Sequence, residues 1–139
     1  MKVKEVMSKN VITCTKDELV IDAVKRMLSY DIGLLVVVED NLSKHVVGVL
    51  SDRDVLTRLV VKGLDPEKIK VGKVMTEKVA SARPDESMNV AADRMKKEKV
   101  KRLVVYDESG ILAGIVSNSD VMKEFAEIRK RLLDLTAGF

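Results

Sequence analysis

The sequence predicts an α+β fold in which two copies of one β-α-β-β-α unit pack sheet to sheet about a pseudo-twofold axis. Three observations carry this expectation. The first is repetition: Val47-Gly48-Val49-Leu50-Ser51-Asp52-Arg53-Asp54-Val55 returns as Ala113-Gly114-Ile115-Val116-Ser117-Asn118-Ser119-Asp120-Val121. Upstream, at an offset of 68, Val6-Met7 matches Val74-Met75, Asp17-Glu18 matches Asp85-Glu86, Arg26-Met27 matches Arg94-Met95, and Leu35-Val36-Val37 matches Leu103-Val104-Val105. The second is periodicity, because helix-spaced and unbroken apolar runs alternate in the same order in both copies. The third is size: a unit of roughly 55 residues rarely buries a core without its copy. Either repeat expressed alone is therefore expected to fold poorly.

Val3 to Met7 reads as a short helix and Val11 to Thr15 as a β segment. Val20, Ala23, Val24, Met27 and Leu28 fall at i, i+3, i+4, i+7 and i+8, one apolar face of a helix, with Asp17 and Glu18 placed to suit its positive end. Leu34 to Val38 is a strand buried on both faces, the polar stretch from Glu39 to Lys44 a turn, and Val46 to Leu50 the partner strand. A second helix carries Val55, Leu56, Leu59 and Val60 and stops before Gly63 and Pro66. The second copy repeats the order: β near Val79 to Ala82, helix over Met88, Ala91, Ala92 and Met95, strand Leu103 to Tyr106, turn, strand Ala113 to Val116. Its final helix starts near Ser119 and runs to about Leu135. The expected divisions are a first motif over 1–64, a linker over 65–71, a second motif over 72–125 and a helical extension over 126–139.

Composition limits the function classes. Of 139 residues, 46% are hydrophobic and 34% charged, which suits a folded, soluble chain of one compact body. No apolar run approaches the ~18 residues of a membrane span, and no signal peptide opens the sequence. Cys14 is the only cysteine, so no intrachain disulfide forms and a cytoplasmic location is expected. It reads as a small core residue, and His45, also single, as an exposed turn residue. A Cys-His pair, zinc spacing, HExxH and a phosphate loop are all missing, so no catalytic residue, metal or catalytic cofactor is expected and the chain does not read as an enzyme. A net charge of +3 and four Phe or Tyr residues disfavour nucleic acid as a partner.

The order β-α-β-β-α, with V-M-S-K-N-V-I-T-C and G-V-L-S-D-R-D-V in one copy and V-M-T-E-K-V-A-S-A and G-I-V-S-N-S-D-V in the other, resembles the cystathionine β-synthase (CBS) domain; two in tandem resemble a Bateman module. The resemblance runs from about Lys2 to Phe125. It implies regulatory binding of an adenosine compound (AMP, ADP, ATP or S-adenosylmethionine) in clefts between the motifs. By that carry-over Asp54 and Ser51 serve the ribose and phosphate of one ligand, Asp120 and Ser117 those of the other. Bases are expected near Ile12, Thr13 and Leu35 and near Ala80, Ser81 and Leu103. K-V-K-R-L-V-V-Y-D resembles the nucleotide-contacting segment in γ subunits of AMP-activated kinases, which adds Lys101 and Arg102.

Elementary chemistry agrees without requiring it. A carboxylate accepts strong bonds from two vicinal hydroxyls, a helix start favours phosphate, and the glycine before each serine lets a base or backbone approach. The competing account of Ser51-x-x-Asp54 and Ser117-x-x-Asp120 is a helix cap and nothing more. Arg53 is either a solvated charge or a phosphate contact, Lys101-Arg102 either edge protection or a phosphate clamp, and Lys96, Lys97 and Lys99 a solvated helix end. The functional expectation is a freestanding sensor regulating an unidentified protein in trans; the alternatives are a ligand-independent dimerisation or scaffold module and, less favoured, a nucleic-acid-binding member of the family using the basic cluster from Lys96 to Arg102. A homodimer is expected through Leu56, Leu59, Met122 and Phe125, extended by Ile128, Leu132 and Leu135. Asp52-Arg53 in one copy against Asn118-Ser119 in the other predicts unequal sites.

Overall fold

The valine-rich runs become the middle strands of two three-stranded sheets. The structure, a computed structural model, describes residues Met1–Ala137; Gly138 and Phe139, the end of the expected extension, lie outside the described residues. In order the elements are α1 (Val3–Val6), β1 (Thr13–Thr15), α2 (Val20–Tyr30), β2 (Leu34–Val38), β3 (Val46–Ser51), α3 (Asp52–Val55) continuing as a π turn over Leu56–Val60, and a 3-10 turn at Val71–Lys73. Then come β4 (Ser81–Ala82), α4 (Met88–Glu98), β5 (Arg102–Tyr106), β6 (Leu112–Ser117) and α5 (Asn118–Ala137). The sheets have orders β1-β2-β3 and β4-β5-β6. β1 runs parallel to β2 and β4 to β5, while β2 and β3 are antiparallel. The fold is thus α+β with two mixed sheets, and the two short first strands are trimmed relative to the sequence expectation.

The chain forms two compact units. One comprises Asn10–Val79 with Tyr106–Leu112, the other Met1–Lys9, Ala80–Val105 and, among the described residues, 113–137. In the first, the α2 face Val20, Ala23 and Met27 packs with Cys14, Leu35, Val37 and Leu50. In the second, Met88, Ala91 and Met95 of α4 pack with Val3, Leu103, Val105 and Val116. Cys14 is buried among apolar groups, and that burial pushes its thiol up to about 12, so no thiolate forms at neutral pH.

One local expectation is corrected. Leu59 is a core residue, 2% exposed, and takes no part in an outer apolar face, whereas Leu56 is open. Leu59 follows the core-packed Val55 by four residues and so shares its side of the helix, while Leu56 and Val60 face out; the π turn over Leu56–Val60 leaves that relation in place. Thr57, whose hydroxyl donates to the Arg53 carbonyl at 2.8 Å, sits within this turn. Glu18 stands just before α2 as expected, and it has further partners. Its carboxylate takes two bonds from Arg26, at 2.6 and 3.1 Å, and one from the Thr15 N–H at 2.6 Å.

Arg26 further donates to the Thr13 carbonyl at 2.9 Å, clamping β1 to α2, and Arg94 with Glu86 and the Ser81 carbonyl repeats the device in the second copy. These bonds hold both glutamates below their ordinary carboxylate value of 4.5, the arginine being the leading cause. A depressed carboxylate contributes stability above its unfolded value and loses it as pH falls through the folded one. Stability is therefore expected to decline on acidification below about pH 4.5. Arg26→Gln with Arg94→Gln should cost about 1.5 kcal/mol per site at pH 7 and flatten that decline. Urea midpoints at pH 7 and pH 3.5 check it; parallel loss in parent and variant would contradict the clamp.

Candidate functional site

In the unit holding the first repeat, β1, β2 and β3 bring the expected residues to one end of the sheet. The Val36 N–H donates to Ile12 at 3.3 Å, Thr13 lies opposite Val36, and Leu34 lies opposite Ser51. The Asp52 N–H donates to the Gly33 carbonyl at 2.9 Å, closing the passage from β3 into α3. Ser51 is extended and caps α3: its hydroxyl accepts from the Asp54 N–H at 3.0 Å, and Asp54 Oδ2 accepts from the Ser51 N–H at 3.0 Å. Asp54, only 9% exposed, accepts at Oδ1 from the Thr76 hydroxyl at 3.1 Å, with Arg58 Nη1 3.7 Å away. Arg58 is anchored in turn on the carbonyls of Val74 and Met75, at 3.2 and 2.7 Å.

Thr76 reaches Asp54 because its backbone pairs with Val49 in both directions, at 2.8 and 2.9 Å. Gly48 makes that approach possible, since a Cβ there would stand 2.7 Å from the Thr76 carbonyl oxygen. The repeated glycine therefore admits backbone here. In the other unit Gly114 plays the same part for Ser8, which pairs with Ile115 at 2.8 and 2.9 Å.

The second repeat assembles its residues alike. The Val104 N–H donates to Ala80 at 3.0 Å, Ser81 lies opposite Val104, and the Asn118 N–H donates to the Lys101 carbonyl at 2.9 Å. Asp120 Oδ2 accepts from the Ser117 N–H at 3.0 Å, its own N–H donates to the Ser117 hydroxyl at 3.2 Å, and that hydroxyl contacts the Ser119 hydroxyl at 2.9 Å. The two ends differ around the aspartate. Glu124 stands where the repeat offset places the counterpart of Arg58. Among the described residues Asp120 hydrogen-bonds only Ser117, so one carboxylate oxygen keeps its acceptor capacity.

Both helix caps are thus real, and neither uses up a carboxylate that has about four lone-pair sites. Ile12, Thr13, Ala80 and Ser81 are half-buried at the sheet ends, while Arg53, Lys101 and Arg102 are exposed beside them. The side chains of Leu35 and Leu103 are fully buried in the cores, so their backbone is the part that reaches the sheet ends. Thr76, Ser8 and Arg58 belong to the sites and are absent from the sequence-based selection. The repeat V-M-[S/T] at offset 68 marks the first two; the i+4 spacing from Asp54 is the one signal for Arg58.

Residues 3–61 and 71–127 each match the CBS domain family. The chain is 33% identical over 127 residues to the mitochondrial CBS domain-containing protein CBSX3 of Arabidopsis thaliana, covering 89% of this chain and 61% of that one. It is 30% identical over 119 residues to the CBS domain-containing protein YhcV of Bacillus subtilis, covering 86% of this chain and 81% of that one. The solved CBS domain pair of protein MJ0100, in complex with 5′-methylthioadenosine and S-adenosyl-L-methionine, is similar with a TM-score of 0.75 at 27% identity, covering 91% of this chain and 97% of that one. The chain spans about three fifths of CBSX3 and of the uncharacterized protein MK0525 of Methanopyrus kandleri. Among the described residues no helix is long and apolar enough to cross a membrane.

Proposed function

We propose that this chain, which belongs to the CBS-domain family and carries two of its domains, is a non-enzymatic regulatory module that binds an adenosine-containing ligand and passes its occupancy to a partner protein in trans. The observation that carries this reading is Asp120: a carboxylate set by its own cap at the start of a 20-residue helix, with one oxygen uncommitted. Such an oxygen accepts charge-assisted bonds from ribose hydroxyls, and the capping serine stands beside N–H groups that suit a phosphate or carboxylate. The two ligands of the MJ0100 pair have adenosine in common, so adenosine is the part a related site recognises. AMP, ADP, ATP and S-adenosylmethionine all present it. Lys101 and Arg102, exposed at the end of β5, supply positive charge to a phosphorylated form.

The sites are unequal on this reading. Asp54 already receives Ser51 and Thr76 and lies near Arg58, so a ligand there competes with bonds the protein makes for itself. That competition, with both Asp54 oxygens already engaged, favours a structural role for the first site and a binding role for the second. Calorimetric titration of ligand-stripped protein with AMP, ADP, ATP, S-adenosylmethionine and 5′-methylthioadenosine tests it. One tight site with at least one of these ligands is expected; no saturable binding of any would sink the proposal in favour of a ligand-independent scaffold. The same module is proposed to act as a homodimer, since Leu56, Val61, Met122 and Phe125 are all exposed.

A further inference from the structure

The last helix carries more apolar surface than its own unit covers. α5 runs from Asn118 to Ala137, about 30 Å at 1.5 Å per residue. Only its start is packed: Val121 lies against the core of Val3, Met88 and Val116. From Phe125 on, Phe125, Ile128, Leu132 and Leu135 recur at i, i+3, i+7 and i+10, a single stripe, and they are 63%, 36%, 59% and 61% exposed. Alternating spacings of three and four are the signature of a helix that meets another helix along a seam. At the root of the stripe a hollow of about 330 Å³, walled by Met1, Met88, Phe125 and Ile128, continues the apolar area onto the body of the unit. Glu124 also lines this hollow, so a phosphate-bearing ligand would meet a like charge there.

We infer that the stripe Phe125–Ile128–Leu132–Leu135 pairs with the same stripe of a second copy, the two helices running parallel. The inference rests on the homodimer of the proposed function and names its contact and direction. Charge decides the direction. With the stripes aligned in parallel, Glu124 flanks Arg129 of the second copy and the reverse, giving two attractive pairs across the seam. An antiparallel pairing that uses the whole stripe sets Phe125 against Leu135 of the second copy, and then Arg129 meets Arg129 and Arg131 meets Arg131. The antiparallel register that avoids this requires Val121, which the core already holds. The outward face carries Glu127, Lys130, Leu133 and Asp134, a mixture of signs that does not suit an anionic membrane surface, where basic residues dominate.

The full chain tests this by equilibrium sedimentation and disulfide trapping. The parent is expected to sediment at twice 15.5 kDa. Leu132→Glu, a change at an exposed position that leaves the circular dichroism spectrum unaltered, should weaken association at least tenfold. Leu132→Cys should form a disulfide-linked dimer on mild oxidation, because equivalent seam positions of parallel helices approach within about 7 Å. Lys130→Cys, on the outward face, should not. A dimeric parent with an undisturbed Leu132→Glu variant, or with Leu132→Cys linking no faster than Lys130→Cys, would overturn the seam and leave the dimer standing. A parent monomeric at 100 μM or below would overturn both.

Discussion

Gly114→Val should cost about 3 kcal/mol or more of stability, and Gly48→Val a similar amount. A Cβ at Gly114 would lie 2.7 Å from the Ser8 carbonyl oxygen and 2.8 Å from Met7 Sδ; at Gly48 it would lie 2.7 Å from the Thr76 oxygen and 2.9 Å from Met75 Sδ. Methionine can swing away, but the backbone oxygens cannot, because each belongs to a two-way pair with Ile115 or Val49. Relief requires breaking those pairs or shifting a strand, and forcing volume into a packed site costs 1–3 kcal/mol before any hydrogen bond is lost. Two other glycines calibrate the effect. Gly63→Ala meets nothing within 4 Å but inherits a φ of +67°, worth about 1–2 kcal/mol. Gly33→Ala meets the carboxylate of Asp52 at 3.0 Å, an exposed group free to move, and should be nearly neutral. Denaturant midpoints for the four variants should fall in that order, and a Gly114→Val protein as stable as the parent would show that the Ser8 segment is not held against β6.

Those glycines show where reading the sequence reached its end. The repeat offset and the apolar periods made the sheets, the order of elements and most of the core legible, because duplicated β-α-β-β-α patterning leaves few other arrangements. The glycine itself was equally compatible with a flat base or with backbone, and only the pairing of Ser8 with Ile115 decides for backbone. That contact joins residues more than a hundred positions apart, beyond any periodicity. Glu18 went unrecognised as a partner for Arg26 because an acid near a helix start already has a sufficient local explanation in the dipole. Leu59 shares the side of the core-packed Val55 at i+4, so helical spacing already points it inward, and grouping it with the exposed Leu56 ignores that spacing. The candidate sites fared likewise: the Ser-x-x-Asp boxes are local and were visible, while Thr76 and Arg58 enter through tertiary contacts.

Those contacts turn two apparently equivalent aspartates into a test. Asp120→Asn should weaken adenosine-ligand binding ten- to a hundredfold, the loss of charged hydrogen bonds worth about 1.5–3 kcal/mol. It should change stability little, because asparagine still caps a helix and Asp120 hydrogen-bonds no group beyond Ser117 among the described residues. Asp54→Asn should do the opposite. With the amide oxygen kept on the Ser51 N–H, the N–H₂ donates to the Thr76 hydroxyl but faces Arg58 in place of a negative charge, so about 1–2 kcal/mol of stability should go while tight binding persists. Calorimetry and thermal melts on the same two proteins read both quantities. If Asp54→Asn costs more affinity than Asp120→Asn, the competition from Thr76 and Arg58 is unimportant and the first repeat is the binding site. If both variants bind as the parent does, the aspartates cap their helices and do not hold ribose. The expected crossing, affinity lost at Asp120 and stability lost at Asp54, arises only where one aspartate keeps an oxygen unbonded for a ligand and the other has both oxygens engaged by the protein.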